Sequence, residues 1–334
     1  MNLREQTKKL LNSYGVSGNE AEAARVAAEI LRPYVDEVVV DPWNNVAGYK
    51  RCGRSGAKQV LLDAHLDQIG YMVQKVMDDG MVKFHSINGP NDILPGSELT
   101  ILTESGPITG VCGWVPPVYR EDPKIEAIRP DFDGLFIDTG LTAEEAKEKI
   151  CVGDLISFGC DAIDLVDDII AGKSTDDRIC FMSLVWAMAL LKDDALDVDV
   201  VVVGSSKEEF DGSGARARAW ADRPDYAICV DVADRTPLFS GPIITIGGDS
   251  NPALAGRLEK TAAASGIPYV TRSVGQVSGT NAKHYQVAAY GTVSCVVSHP
   301  QKYMHTPVEI VSFRDTENIG KLLAEFLRGF DGTL

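Results

Sequence analysis

The chain is poor in the features that staple, span or carry positive charge. Its seven cysteines form no C-x-x-C pair and are odd in number, so reduced thiols, most of them buried, are expected at positions 52, 112, 151, 160, 180, 229 and 295. No stretch approaches the ~20 apolar residues that cross a bilayer, and the longest apolar runs, such as VVVVG, have the length of strands. The opening MNLREQTKKLLNSYG lacks an apolar core of roughly 7–15 residues, so no secretory signal is expected. Positive charge is also scarce. Lys and Arg number 32 against 48 for Asp and Glu, a net charge of −16, which argues against a surface built to neutralise phosphate. A cytoplasmic protein with neither nucleic-acid nor membrane partners is expected. What the chain does hold is ordinary globular material: 334 residues, 45% hydrophobic and 24% charged, enough for about two domains with a sizeable core.

Apolar residues recur at three- and four-residue spacing over 2–13 and 19–32, predicting two helices, the second ending at Pro33. VAGY and VLLDAHLD follow as strands. From about 70 to 170, short β-like segments alternate with Gly, Pro, Asp and Asn, broken by one helix near TAEEAKEKI. After Lys173 the texture becomes strand–helix–strand. DRICFMSLVWAMALL is apolar nearly all round and predicts a helix buried against a sheet. DVDVVVVGSS and YAICVDVA predict strands covered on both faces, and GARARAWAD, NPALAGRLEKTAAASG and FRDTENIGKLLAEFLRGF supply further helices. The expected architecture is α/β, a mixed sheet flanked by helices over 1–68 plus 173–334, interrupted by a small β-barrel-like domain over 69–172.

Histidine is limited to positions 65, 85, 284, 299 and 305. His65 and Asp67 form a His-x-Asp pair at a strand end, a pairing that in isolation is as readily structural. Asp176 and Asp177 precede a helix, where acids are favoured by the helix dipole. Glu208 and Glu209 follow a buried strand, and Asp231 sits within one, where uncompensated charge is costly. His305 follows the apolar strand VSCVV. Taken together, His65, Asp176, Glu209, Asp231 and His305 fall at or just beyond the carboxyl ends of predicted strands, where open α/β sheets place their ligand sites. Two imidazoles and three carboxylates suit zinc, cobalt or manganese. Charge counting favours two divalent ions: with one bridging hydroxide, +4 and −3 bring the site to neutrality. Glu208 then stands beside the ligands, as a general base must.

These residues resemble the glutamyl and deblocking aminopeptidases, peptidase family M forty-two, which include the TET-type peptidases. The resemblance runs in order through AHLDQIGYMV, STDDRIC, SSKEEFDGSGA, ICVDVA, SGTNA and KYMHTPVEIV. It implies a zinc-exopeptidase-like catalytic domain and a dimetal aminopeptidase acting on peptides with a free N-terminus. One metal would lie among His65, Asp176 and Asp231, the other among Glu209, Asp176 and His305. Asp176 would bridge the two, a metal-bridged hydroxide would be the nucleophile, and Glu208 would be the base. Asp67 would accept a hydrogen bond from the free ring nitrogen of His65. The resemblance also implies a homo-oligomer, with the tetrahedral dodecamer as its reference form. Related carboxypeptidase-like enzymes carry their extra domain late, whereas here the long gap falls early, between His65 and Asp176.

The chain departs from the family pattern at Gln68, at Phe210 and Asp211 after the Glu pair, at Asn281, and at Lys302. None is a proposed ligand, and together they bear on substrate preference. His284 and His299 are expected not to be ligands, and Arg178 is expected to pair with nearby carboxylates. Three other readings compete: a dimetal deacylase or carboxypeptidase, a glycosidase using Glu208 and Glu209, and a non-catalytic scaffold. Adjacent residues cannot readily flank a sugar ring, which disfavours the glycosidase.

Overall fold

The computed structural model describes residues 2–88, 93–115, 132–288 and 290–334. The chain divides into two compact units, residues 1–68 with 161–304 and 308–334, and residues 69–160 with 305–307. Helices α1 (Leu3–Asn12) and α2 (Ala21–Leu31) open the first unit, followed by strands β1 (Glu37–Val40), β2 (Val46–Lys50) and β3 (Gln59–His65).

The second unit holds strands β4 (Gly70–Val76), β5 (Val82–Ile87), β6 (Glu98–Thr103), β7 (Gly106–Gly113), β8 (Phe136–Asp138) and β9 (Leu155–Phe158), with helix α3 (Ala143–Lys149) before β9. The strands close into an antiparallel barrel in the order β4-β5-β8-β7-β6-β9. Alternating apolar residues fill it: Tyr71 stands edge-on to Phe84 and Phe158, at ring distances of 5.1 and 5.7 Å. Helix α3 begins where TAEEAKEKI predicts. Thr142 and Glu145 cap each other's backbone amides in a reciprocal pair.

The chain then returns to the first unit through β10 (Ile163–Asp164), β11 (Ile169–Gly172), α4 (Thr175–Leu190), β12 (Asp199–Ser205), α5 (Ser213–Asp222) and β13 (Tyr226–Ala233). It ends with β14 (Ile243–Ile246), α6 (Pro252–Ala264), β15 (Val270–Ser273), α7 (Ala282–Tyr285), β16 (Val293–Lys302), β17 (Glu309–Ser312) and α8 (Phe313–Arg328). The main sheet runs β1-β2-β12-β3-β13-β16-β17-β11-β10, with β14 joining β16 and β15. Because β10 pairs with β11 and β11 with β17, residues 161–172 belong to this sheet, and the barrel's contacts end at Cys160.

Strands β12, β3, β13 and β16 are mutually parallel. Their alternating side chains enter two separate cores: Val60, Leu62, Val200 and Val202 pack with α4 and α8, while Leu61, Val201 and Val203 pack with Ala215, Ala219 and Tyr285 from α5 and α7. Both faces are therefore covered, as the unbroken valine run of β12 requires. In this register Ser205 lies opposite His65, so β3 and β12 end level with each other.

Gly204, next to that end, has no room for a side chain. A Cβ there would meet Leu66 Cδ1 at 2.6 Å and Phe181 Cε2 at 2.9 Å. Gly204→Ala should cost about 1–3 kcal/mol, the usual penalty for overpacking a core, read as a lower denaturant midpoint. A wild-type midpoint would show that the strand end can shift freely.

Candidate metal centre

The carboxyl ends of the parallel strands carry the acidic and imidazole groups. His65 closes β3, Asp231 lies near the end of β13, Glu208 and Glu209 follow β12, and Asp176 and Asp177 begin α4. Donor atoms of His65, Asp176 and Glu209 lie within 4.8 Å of one another, as do those of His65, Asp177 and Asp231. His65 is thus common to both groups, and Asp177, absent from the expected ligand set, joins Asp231.

The ring of His65 is held from both sides. Its Nδ1 lies 3.2 Å from the carbonyl oxygen of Asp67 and 3.5 Å from the Asp67 carboxylate. Its Nε2 lies 3.1 Å from Asp176 Oδ1 and 3.9 Å from Glu208 Oε2. With the Nδ1 proton given to the Asp67 carbonyl, the Nε2 lone pair faces carboxylate oxygens. That arrangement is repulsive unless a proton or a cation lies between them. Besides its contact with the ring, the Asp67 carboxylate accepts the backbone amides of Glu208 (3.0 Å) and Glu209 (3.1 Å). Asp67 therefore meets the ring with both carbonyl and carboxylate, and holds the Glu pair with the carboxylate.

Further anchors surround these groups. Asp177 Oδ2 accepts the backbone amide of His65 at 3.1 Å. The buried Glu309 carboxylate accepts the Asp176 amide (2.9 Å) and the Thr175 hydroxyl (3.0 Å), and Gln301 donates to that same hydroxyl. Asn281 Nδ2 donates to Asp63 on β3 and to the Ser205 hydroxyl on β12, each at 2.9 Å, tying the two strand ends together. At the other departures from the family pattern, Gln68 accepts the Ser174 hydroxyl (2.6 Å) and Asp211 pairs with Arg216 (2.8 Å).

Burial sets the electrostatics. It pushes the Glu208 carboxyl up to about 9 and Asp231 up to about 7, against the partial relief that His65 provides, and it drives Asp177 well above the ordinary range with Asp231 adding to the effect. Burial alone would lower the His65 imidazole, but Asp176, Asp67 and Glu208 outweigh it and hold the ring well above its usual value. Acids this reluctant to ionise, grouped around one imidazole, form a donor set that divalent cations fit.

The other four histidines are not in either of these two groups of donor atoms. His305 belongs to the contact set of the barrel unit. His299 is buried, with Nδ1 2.9 Å from the Pro300 carbonyl and Nε2 3.0 Å from the Thr316 hydroxyl. His284 packs its Nε2 over Gly212, and His85 lies exposed on β5. Arg178 differs from expectation. It makes no ion pair within 4.0 Å among the described residues and bonds to backbone carbonyls, including those of Leu66 (2.8 Å) and Ser13 (2.6 Å). The carboxylates of Asp67, Glu22 and Glu20 act on it only through their field.

A mixed sheet covered on both faces, with such a cluster at the ends of its central parallel strands, has its candidate site where open α/β sheets place their ligands. The chain belongs to the M42 glutamyl aminopeptidase family, whose pattern matches residues 44–322, and it is a peptide hydrolase of the aminopeptidase class. It is 30% identical to a lysyl aminopeptidase of Pyrococcus furiosus over 98% of this chain and 99% of that one. Among solved structures, a TET aminopeptidase from a marine sediment archaeon of the Thaumarchaeota superposes with TM-score 0.91 at 26% identity, covering 99% and 98% of the two chains. The TET1 peptidase of Pyrococcus horikoshii, described as assembling into a tetrahedron or a large octahedral shell, gives TM-score 0.87 at 25% identity, covering 98% and 100%.

Protein stripped of divalent ions should respond to pH in a defined direction. Glu208 and Asp231 keep protons up to about 9 and about 7 in the folded state, whereas unfolded carboxyls release them near ~4. The folded state therefore binds more protons through that window, and stability falls as pH rises from about 5 to about 9. The melting temperature of chelated protein should decline over this range. Added zinc or cobalt should restore it with proton release, seen by calorimetry in buffers of different ionisation enthalpy. A flat or rising profile, or metal binding without proton release, would contradict this account.

Proposed function

We propose that this chain is a dimetal aminopeptidase that removes N-terminal residues from peptides. The carrying observation is the buried cluster of His65, Asp176, Asp177, Glu209 and Asp231 with Glu208 beside it, in a chain aligned along nearly its whole length with aminopeptidases. Asp231, Asp176, Glu209 and His65 would hold two divalent cations, zinc, cobalt or manganese, and the resemblance adds His305, three residues past the end of β16, as a fifth ligand. When bound, the ions supply an acidified water and a polarised scissile carbonyl.

The chain's own groups do the rest. Glu208, its side chain 12% exposed, takes the proton of the attacking water and passes it to the departing amine. Such general acid–base work typically contributes ~10²–10⁴-fold. Asp67 fixes both the His65 ring and the backbone from which Glu208 projects. The surrounding carboxylates favour the ammonium of a free N-terminus, which gives exopeptidase behaviour. We further read the chain as a cytoplasmic homo-oligomer. The tetrahedral and octahedral assemblies of the TET1 peptidase support the oligomer, and a related TET1 structure described as a dodecamer makes that the first form to test.

Glu208→Gln should lower turnover by ~10²–10⁴-fold with metal content unchanged, measured on aminoacyl chromogenic substrates. Peptides with a free amine should be cleaved and their N-acetylated counterparts spared. Normal turnover in the variant would remove Glu208 as base, and preference for acetylated substrates would point to a deacylase.

A further inference from the structure

Arg178 is fully buried, yet its bonds go to carbonyl groups on two sides of the fold. Nε donates to the carbonyl of Leu66 at 2.8 Å. Nη1 donates to the carbonyls of Leu10 (3.0 Å) and Ser13 (2.6 Å), and Nη2 to that of Gly15 (3.4 Å). Leu10 and Ser13 lie at the carboxyl end of α1, where the Leu10 carbonyl also accepts the amide and hydroxyl of Ser13, so the fork joins an already capped helix end. Leu66 is the residue between His65 and Asp67. The same short segment is stitched from both sides: the Leu66 amide donates to the Ser205 carbonyl at 2.8 Å, the Gln68 amide to Gly15, and the Ser17 amide to Gln68, both at 3.0 Å.

We propose that Arg178 is a positioning residue for the hydrolytic centre, its guanidinium fork using the end of α1 as an abutment that sets the His65–Asp67 segment. This inference rests on the aminopeptidase reading for its kinetic consequence, though not for its structural one. Asp67 spans two contacts that must agree, the ring of His65 and the amides of Glu208 and Glu209. A shift of the Leu66 carbonyl would displace both together. The guanidinium presents its donors in a rigid, planar, charged fork. A lysine keeps that charge but offers a single ammonium, which cannot reproduce the planar fork.

Two variants test the proposal. Arg178→Lys removes the fork. Gly15→Ala presses on it from the far side, because the added Cβ would meet Arg178 Nη2 at 2.5 Å and Ala23 Cβ at 2.9 Å. In metal-free protein, both should speed hydrogen exchange at the Glu208 and Glu209 amides, by ~10-fold or more in Arg178→Lys. In metal-loaded protein, kcat should fall ~10–100-fold, the usual cost of disturbing groups that orient ligands, with KM changed by less than about 3-fold and an altered visible spectrum of the cobalt form. A residue that merely anchored α1 would lower the melting temperature and leave amide exchange, kcat and the cobalt spectrum as in wild type, and that result in both variants overturns the proposal. If Arg178→Lys does not fold, Gly15→Ala decides alone. Absence of peptide hydrolysis in wild-type protein would sink the aminopeptidase reading instead, while the exchange measurement would still judge Arg178.

Discussion

Buried negative charge at the open end of a parallel sheet is the constraint that the rest of the catalytic unit serves. Asp176, Asp177, Glu209 and Asp231 crowd one imidazole, and Glu208 stands 3.9 Å from that ring. Left to themselves, like charges at such separations repel, and burial adds to the cost. A chain selected only for stability would place leucine or alanine there. These acids persist because the backbone around them is fastened. Asp177 holds the amide of His65, Asp67 holds the amides of the Glu pair, and Glu309 holds the amide of Asp176. Each bond uses a carboxylate as an acceptor for main chain, so several acids are structural and electrostatic at once.

The sheet supplies the precision. With β12, β3 and β13 parallel and in register, their ends present side chains at one level. Covering both faces keeps the strands from sliding, because a one-residue slip would exchange the two sets of valines between their cores. Gly204 admits Leu66 and Phe181 against the strand end, and Asn281 bonds across the gap between β3 and β12. Placement of the ligands therefore depends on packing several residues away from any of them.

Much of this was legible in the residues. The run DVDVVVVGSS could only be a strand covered on both sides, and the continuous apolar character of 177–191 forced a buried helix. The segment TAEEAKEKI marked α3. His65, Asp176, Glu209, Asp231 and His305 were read together from their places at or just beyond strand ends; the two groups of neighbouring donor atoms contain the first four and not His305. Asp177 was harder to see, since an acidic doublet at a helix start reads as a response to the helix dipole until coordinates show which carboxylate faces inward. Glu309 and Gln301 carry no local signal: they become significant only through Thr175 and, for Glu309, the Asp176 amide, more than a hundred residues earlier in the chain. Arg178 was misleading for a physical reason. A buried guanidinium beside acidic residues suggests ion pairing, but the groups within its hydrogen-bond reach are the carbonyls of Leu66, Gly15 and the end of α1. The edge of the barrel was likewise obscured, because the short strands of 161–172 carry the same turn-rich texture as the barrel while pairing with the main sheet.

The parallel order of the central strands has a consequence for biosynthesis. His65 lies on β3, whose flanking partners β12 and β13 are translated long after it, with the whole barrel between. No local hairpin can bring the acids to the imidazole, and a nascent chain halted before Asp231 lacks the last of them. A growing polypeptide that has not yet reached Asp231 cannot assemble the cluster, whatever the state of its earlier elements.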